Sequence, residues 1–95
     1  MKAWELLSKE GSWTQGVYAR ESDGSPCIAD SHEAACFCTI GAVRRCHPEP
    51  SERLKILGTL ENAVRERGAL GIASWNDHPA RKQDEVVALL KELDI

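Results

Sequence analysis

Apolar positions recur at helical spacing in the second half of the chain and predict two amphipathic helices there. One stripe lies between residues 51 and 67 and consists of Leu54, Leu57, Leu60 and Val64. The other lies between residues 80 and 93 and consists of Val86, Leu89, Leu90 and Leu93. Ser51 follows a Pro-Glu-Pro breaker and is the expected cap of the first of these helices, which we expect Gly68 to end.

A third helix, apolar on nearly every side, is predicted over residues 31–46. Between Ala34 and Val43 the only polar side chain is that of Thr39. A helix of this composition is typical of the centre of a fold, surrounded by other elements. The small residues Gly41 and Ala42 would let a neighbouring element approach it closely.

The pattern before residue 31 is weaker. Trp4 and Leu7 share a face of a short helix over residues 3–10. Residues 13–28 alternate about a Ser-Asp-Gly-Ser turn, which fits a short β-hairpin slightly better than a helical turn. We therefore expect a mainly α fold: a compact four-helix single domain, residues 1–95, around a buried central helix. Either a short hairpin or a helical turn near residues 13–28 is compatible with it.

Composition narrows the functional classes. Of the 95 residues, 42% are hydrophobic and 28% charged, and the net charge is −3, as in ordinary folded proteins. The basic residues lie scattered among acidic ones, so we expect no nucleic-acid partner. No apolar run is long enough for a signal peptide or a membrane span, so a cytoplasmic protein without a membrane association is expected.

Histidines and cysteines suggest a metal site, which we do not favour. His32 and Cys36 are four residues apart, as neighbours on one helix face would be, and Cys46 and His47 follow ten residues later. Structural zinc sites usually present two close ligand pairs, and this spacing fits none of them. The favoured interpretation is that the cysteines are small buried apolar side chains, with no metal and no other cofactor.

A cysteine-dependent active site is the sharper hypothesis. The sequence offers an oxyanion donor, a nucleophile, a base and an orienting group: Gln15, Cys36 or Cys38, His47 or His78, and Asn76 or Asp77. The set on which the hypothesis is centred is Cys38 with Gln15, Asp77 and His78. Such nucleophiles favour a helix N-terminus, whereas Cys38 is predicted two turns inside a helix. Structural roles explain part of the same set, because Asp77 can cap the last helix.

Three blocks of residues resemble a family of small bacterial and phage proteins that is known only as a domain of unknown function. The matching positions are Trp13, Gln15, Gly16, Cys38, Gly41, Ala42, Trp75, Asn76 and Asp77. The family pattern usually has threonine where this chain has Lys82, so one expected helix cap is missing. The resemblance implies a bacterial or phage origin, and no activity, substrate or cofactor.

The function expected from these observations is that of a non-enzymatic binding module. It would contact a protein partner, or a second copy of the chain, through the apolar stripe of the last helix. One alternative is a cysteine-dependent hydrolase or transferase centred on Cys38. Another, suggested by the phage resemblance, is an inhibitor of a host system.

Overall fold

The computed structural model describes residues 1–95 and contains both helices and a sheet. In chain order the elements are α1 (Ala3–Leu7), β1 (Ala19–Glu21), β2 (Pro26–Cys27), β3 (Ala34–Phe37), α2 (Thr39–Cys46), α3 (Pro50–Glu66), α4 (Ile72–Asn76) and α5 (Gln83–Glu92). The five helices hold 47% of the residues, and the strands form one antiparallel sheet of order β2-β1-β3. The fold is therefore mixed α/β, and the expectation of a mainly α four-helix domain is wrong.

The helix predicted over residues 31–46 is divided into a strand, β3, and a shorter helix, α2. The division falls at Cys38, whose backbone is extended with φ −78° and ψ 176°, so that α2 begins at Thr39. A short apolar run has no period that separates a strand from a buried helix. The deciding contact comes from β1, where Ala19 pairs with Phe37 across the sheet. That pairing is tertiary information, which the local pattern does not contain.

The β-hairpin favoured for residues 13–28 is present, with shorter strands than the alternation indicated. β1 and β2 pair in an antiparallel ladder, and Gly24 in the connecting turn has φ +91°. Residues before β1 lie outside the hairpin, and Trp13 forms an isolated parallel bridge with Phe37 instead. β1 is consequently the central strand, because β3 occupies its other edge.

Helix α3 occupies the predicted segment but starts differently. Its N-cap is Glu49 and not Ser51, because the Glu49 carboxylate accepts hydrogen bonds from the backbone N–H groups of Glu52 at 2.7 Å and Ser51 at 3.2 Å. These hydrogen bonds lower the pKa of Glu49. In the predicted stripe, Leu60 is fully buried, whereas Leu54 is 73% exposed. The start of α3, as far as Leu54, is therefore mostly exposed, and its contact with the core begins at Ile56.

The remaining helices also differ from the pattern. α1 stops at Leu7, three residues earlier than expected, and the short helix α4 falls in a segment for which no helix is predicted. Asp77 follows the last residue of α4 and does not cap α5. The cap of α5 comes from Glu85, whose carboxylate accepts the Lys82 N–H at 2.8 Å. Lys82, at which a side-chain cap was expected to be missing, is thus the N-cap residue itself, and its side chain makes no capping hydrogen bond.

Helix α2 lies at the centre of the fold, in contact with α1, α3, α4 and β3. α5 packs against α1, and this contact buries the apolar stripe that the sequence suggested as an interface. Val86 and Leu90 have no exposed surface, and Leu89 is 4% exposed. The chain itself covers that stripe. No helix has both the length and the apolar character that crossing a membrane would require.

Candidate functional site

The side chain of Asn76, at the end of α4, is the centre of a buried hydrogen-bond network. It is 1% exposed, and its Oδ1 accepts hydrogen bonds from Trp13 Nε1 at 2.8 Å, Thr39 N at 2.9 Å and Thr39 Oγ1 at 2.6 Å. Indole and backbone N–H groups only donate, so they fix which end of the amide is the oxygen. The network joins three segments that are distant in the chain.

The nitrogen of the same amide reaches in the opposite direction. Asn76 Nδ2 donates to Thr14 O at 3.2 Å and to Asp77 Oδ1 at 2.8 Å. Asp77 Oδ1 also accepts the backbone N–H of Gly16 at 3.0 Å. Every polar atom of the buried Asn76 side chain is therefore satisfied, as buried amides require. We call Asn76 with Trp13, Thr14, Thr39 and Asp77 the Asn76 network.

The side chain of Gln15 connects the segment before β1 to the turn after α4 through hydrogen bonds to backbone groups. Its Nε2 donates to the carbonyl oxygens of Asn76 and His78, each at 2.9 Å. Arg81 holds the far side of this turn: its Nε donates to Trp75 O at 2.9 Å, and its guanidinium carbon lies 4.2 Å from the Trp75 ring centre. The loop that carries Asp77 is thus held from both sides.

Cys38 lies at the N-cap of α2, where the sequence pattern had placed it inside a helix. Its Sγ accepts the Gly41 N–H at 3.3 Å, and the residue is 7% exposed. Burial raises the pKa of the Cys38 thiol, hydrogen bonding by the Gly41 and Ile40 N–H groups opposes that shift, and the charge of Asp77 adds to it. The helix end favours a thiolate, but here desolvation is the larger effect.

Gly41 allows α2 to approach β1 at this point. A Cβ at position 41 would collide with the carbonyl oxygen of Tyr18, a backbone atom that cannot turn away. The same Tyr18 oxygen accepts the Cys38 N–H at 3.0 Å. The close approach predicted for Gly41 is confirmed, and it sets the position of Cys38 beside the hairpin.

An open pocket of about 570 Å³ lies beside the Asn76 network, between the hairpin, the start of α2 and α4. We call it the Cys38 pocket. Its lining is mostly apolar and comprises Gly16, Val17, Tyr18, Pro26, Cys27, Ile28, Cys38, Ile40, Ala73, Asn76 and Asp77. Ligand sites typically have about 300–1,000 Å³ with apolar walls and few polar groups.

The four residues of the catalytic hypothesis are only partly brought together. Cys38 and Asp77 both line the pocket. The Gln15 amide nitrogen is engaged by two backbone carbonyls, so it is not free to bind an oxyanion. His78 accepts the Ala80 N–H at Nδ1, at 3.1 Å, and is not part of the lining. The pocket is thus lined by the Cys38 thiol and the Asp77 carboxylate, and no histidine is among its lining residues.

The four candidate metal ligands lie on different elements. His32 is exposed in the turn before β3, Cys36 lies within β3, and Cys46 and His47 lie at the far end of α2. His47 Nδ1 lies 3.7 Å from a carboxylate oxygen of Glu52, and its buried Nε2 has no hydrogen-bond partner. The structure contains no group of three or more His, Cys, Asp or Glu side chains arranged to hold a metal ion.

The residues on which the predicted family resemblance rests converge on this corner of the fold. Seven of them form or adjoin the Asn76 network and the Cys38 pocket: Trp13, Gln15, Gly16, Cys38, Gly41, Asn76 and Asp77. A family model described as "Family of unknown function (DUF6197)" matches residues 1–93. The chain belongs to this family. The resemblance to a family of unknown function is thereby confirmed for DUF6197, while a bacterial or phage origin stays a prediction.

No match is found among curated proteins or among solved structures. DUF6197 membership brings no activity with it, so the site must be interpreted from its own geometry. Sequence reasoning did not find Tyr18, Ile28, Ile40 and Ala73, which form apolar walls of the pocket. Thr39 was detectable, because a single polar side chain in an apolar run needs a hydrogen-bond partner once it is buried.

Proposed function

We propose that this protein is a protein-binding module and that the Cys38 pocket is its binding surface. The observation that carries the proposal is an open apolar pocket with a polar floor in which the buried side chain of Asn76 is fully hydrogen-bonded. A floor of this kind need not reorganise when a ligand arrives, which reduces the entropic cost of binding. Preorganised polar groups in an apolar recess also give orientation and specificity to what binds there.

The rim of the pocket supports the same interpretation. Ile28 is 70% exposed and Tyr18 is 47% exposed, although both are large side chains with apolar surface. Each lies on a side of the pocket, so the exposed apolar area is continuous with the recess. Exposed apolar surface around a cavity is a common mark of an interaction site. A recess of about 640 Å³ also lies between α1 and α5, but none of the large exposed apolar side chains lines it. In the stripe of α5, Val86, Leu89 and Leu90 are buried.

A pair of matched substitutions tests the proposal. Ala73 is exposed on α4 and lines the pocket, so Ala73→Leu should fill it without disturbing the core. Ala88→Leu makes the same change at an exposed position on α5 outside the pocket. Peptides selected from a random displayed library for binding to the unchanged chain are then measured against both variants.

We expect selected peptides to bind the Ala88→Leu variant as they bind the unchanged chain, and to lose at least about tenfold in affinity for the Ala73→Leu variant, since the filled recess excludes an anchoring side chain. Circular dichroism of both variants checks that the fold is retained. Equal binding to all three proteins, or a selection that enriches no peptide, would show that the pocket is not a protein-binding surface.

A cysteine-dependent hydrolase or transferase is a second candidate, favoured by the position of Cys38 at a helix N-terminus within a pocket. Two observations oppose it: burial raises the pKa of the Cys38 thiol, and no histidine lines the pocket. Iodoacetamide labelling at pH 7.5, followed for each cysteine by mass spectrometry, separates the two. An enzyme requires Cys38 to react first and to slow down in His78→Ala; a binding module leaves Cys38 the slowest of the four thiols.

A further inference from the structure

We infer that the Cys38 pocket receives a lysine side chain from the partner protein, with Asp77 as the counter-ion; this inference rests on the proposed protein-binding function. Asp77 is the one lining residue that carries a formal charge, beside two thiols and otherwise neutral groups. It takes part in none of the ion pairs of the molecule, which involve other carboxylates throughout. The lining therefore presents one negative charge that no ion pair neutralises, although the guanidinium of Arg44 lies over the outer Tyr18 ring.

Covering this pocket has an electrostatic consequence. Asp77 is exposed in the free chain, so an occupant that covers its carboxylate removes water from it, and a carboxylate that loses water without gaining a donor is destabilised. A purely apolar side chain would incur that cost in full. A protonated amine removes it, because a charge-assisted hydrogen bond replaces the lost hydration. The walls and the charge together thus select an apolar stem that ends in a cation.

The hydrogen bonds of Asp77 distinguish between the two basic side chains. Oδ1 already accepts two donors, the Gly16 N–H and Asn76 Nδ2, whereas Oδ2 accepts no hydrogen bond from the chain. The fork of an arginine guanidinium binds best to a carboxylate with both oxygens free. A lysine ammonium is a compact charge that needs one oxygen. The single free oxygen therefore favours lysine over arginine.

The apolar walls suit the remainder of a lysine side chain. Four methylene groups precede its ammonium, and lysine readily lays that stem along apolar surface while its charge reaches a polar group. Tyr18, Ile28 and Ile40 supply apolar surface in the same pocket as Asp77. The open mouth leaves room for the backbone of the partner to pass outside, so one side chain enters while flanking residues contact the rim.

Capped tripeptides test the inference on the whole chain. The central residue of acetyl-Leu-Xaa-Leu-amide is lysine, arginine, norleucine or Nε-acetyl-lysine, and binding is followed by ¹H–¹⁵N NMR titration. We expect lysine to bind about tenfold more tightly than norleucine or acetyl-lysine, with shifts at Tyr18, Ile28 and Ala73, because one charge-assisted hydrogen bond is at stake. Arginine should bind more weakly than lysine.

Two variants assign the preference to a residue. Asp77→Asn keeps an acceptor for the Gly16 and Asn76 hydrogen bonds and removes the charge, so the advantage of lysine over norleucine should disappear. Asp84→Asn removes an exposed carboxylate outside the pocket and should leave that advantage unchanged. The acetyl-lysine comparison uses the unchanged chain and holds even if a variant fails to fold.

The outcomes distinguish a failure of the lysine inference from a failure of the proposed protein-binding function. Equal affinities for lysine, norleucine and acetyl-lysine, with shifts in the pocket, would overturn the cation and leave the binding pocket standing. A lysine preference that survives Asp77→Asn would overturn the role of Asp77, and arginine binding as tightly as lysine would overturn the single-oxygen argument. If no peptide shifts any pocket residue, the proposed function itself fails.

Discussion

The corner around α4 and the pair formed by α1 and α5 bury their side chains to a similar degree by different means. In the first, Asn76 and Thr39 are 1% and 0% exposed and are held by directional hydrogen bonds. In the second, Leu7 and Leu90 are 0% exposed within the apolar core. Apolar contacts tolerate small adjustments, whereas a buried amide with an unmatched partner is costly.

The comparison indicates why the pocket lies where it does. A buried amide whose polar atoms are all hydrogen-bonded, as in Asn76, defines one geometry and holds the Asp77 loop in it. Apolar packing alone specifies position less sharply, since it has no directional requirement. We therefore expect disruption of the network to affect both stability and binding, and disruption of the α1–α5 contact to affect stability alone.

The largest effect is expected for Asn76→Ala. The substitution leaves Trp13 Nε1 and both the N–H and hydroxyl of Thr39 without their common acceptor. We expect the free energy of unfolding in urea to fall by about 3–5 kcal/mol, from several unsatisfied buried groups. Binding of the lysine tripeptide should fall with it, at temperatures where the variant is still folded. A loss under about 1 kcal/mol would mean that water replaces the amide, and that the network is not a rigid floor.

Leu90→Ala probes the other region. Leu90 is fully buried, and its truncation should lower the free energy of unfolding by about 2–4 kcal/mol through lost apolar burial and a cavity. In contrast to Asn76→Ala, the affinity of the folded variant for the lysine tripeptide should stay unchanged. A weaker peptide affinity in this variant would show that the two regions are coupled through α2, and the comparison would not hold.

Two glycine-to-alanine substitutions compare a glycine in close contact with another segment and a glycine with free space around it. Gly41→Ala should destabilise by about 1–3 kcal/mol, because the added methyl collides with the Tyr18 backbone and must separate α2 from β1. Gly58→Ala meets no atom within 4 Å and lies inside α3, so it should stabilise by about 0.5–1 kcal/mol. Thermal unfolding followed by circular dichroism measures both. A Gly41→Ala variant as stable as the unchanged chain would contradict the close contact.

The smallest effect concerns pH. Burial raises the pKa of the Cys38 thiol in the folded state, so its stabilising contribution is complete below the unfolded thiol pKa of about 8.5 and is lost as pH rises through the folded value. The free energy of unfolding should therefore decrease more steeply above that pH in the unchanged chain than in Cys38→Ala. Parallel pH profiles for the two proteins would show that the thiol is not shielded from water.

Much of the helical part of the fold was predictable, and the reason is local. Leu60, Val64, Val86, Leu89 and Leu90 recur at helical spacing, and all five are buried. Residues at this spacing come together on one face only when the segment is helical, whichever element packs against that face. Leu54 belongs to the same pattern and is exposed, because the part of α3 that packs against the core starts beyond it, at Ile56 and Leu57. Periodicity identifies a face, and only the surrounding fold determines how much of the face is covered.

The site residues were recognisable in the sequence without their arrangement. Asn76 and Asp77 stand out in the sequence, where Asp77 is expected to cap the last helix. Their actual partners, Trp13, Thr39 and Gly16, lie 37 to 63 positions away in the chain. No local rule specifies hydrogen bonds over such separations, because they exist only when the chain has folded.

By itself, the sequence determined the amphipathic helices α3 and α5, the turn of the hairpin and the small residue at position 41. The tertiary structure alone decided that residues 34–37 are a strand, and this decision moved Cys38 from a helix interior to a helix N-terminus at the pocket. Ala, Cys and Phe in a short apolar run are compatible with either conformation. Backbone hydrogen bonds with β1 outweigh the helical preference of the two alanines. Without β3, the second edge of β1 would lack partners for its backbone N–H and C=O groups.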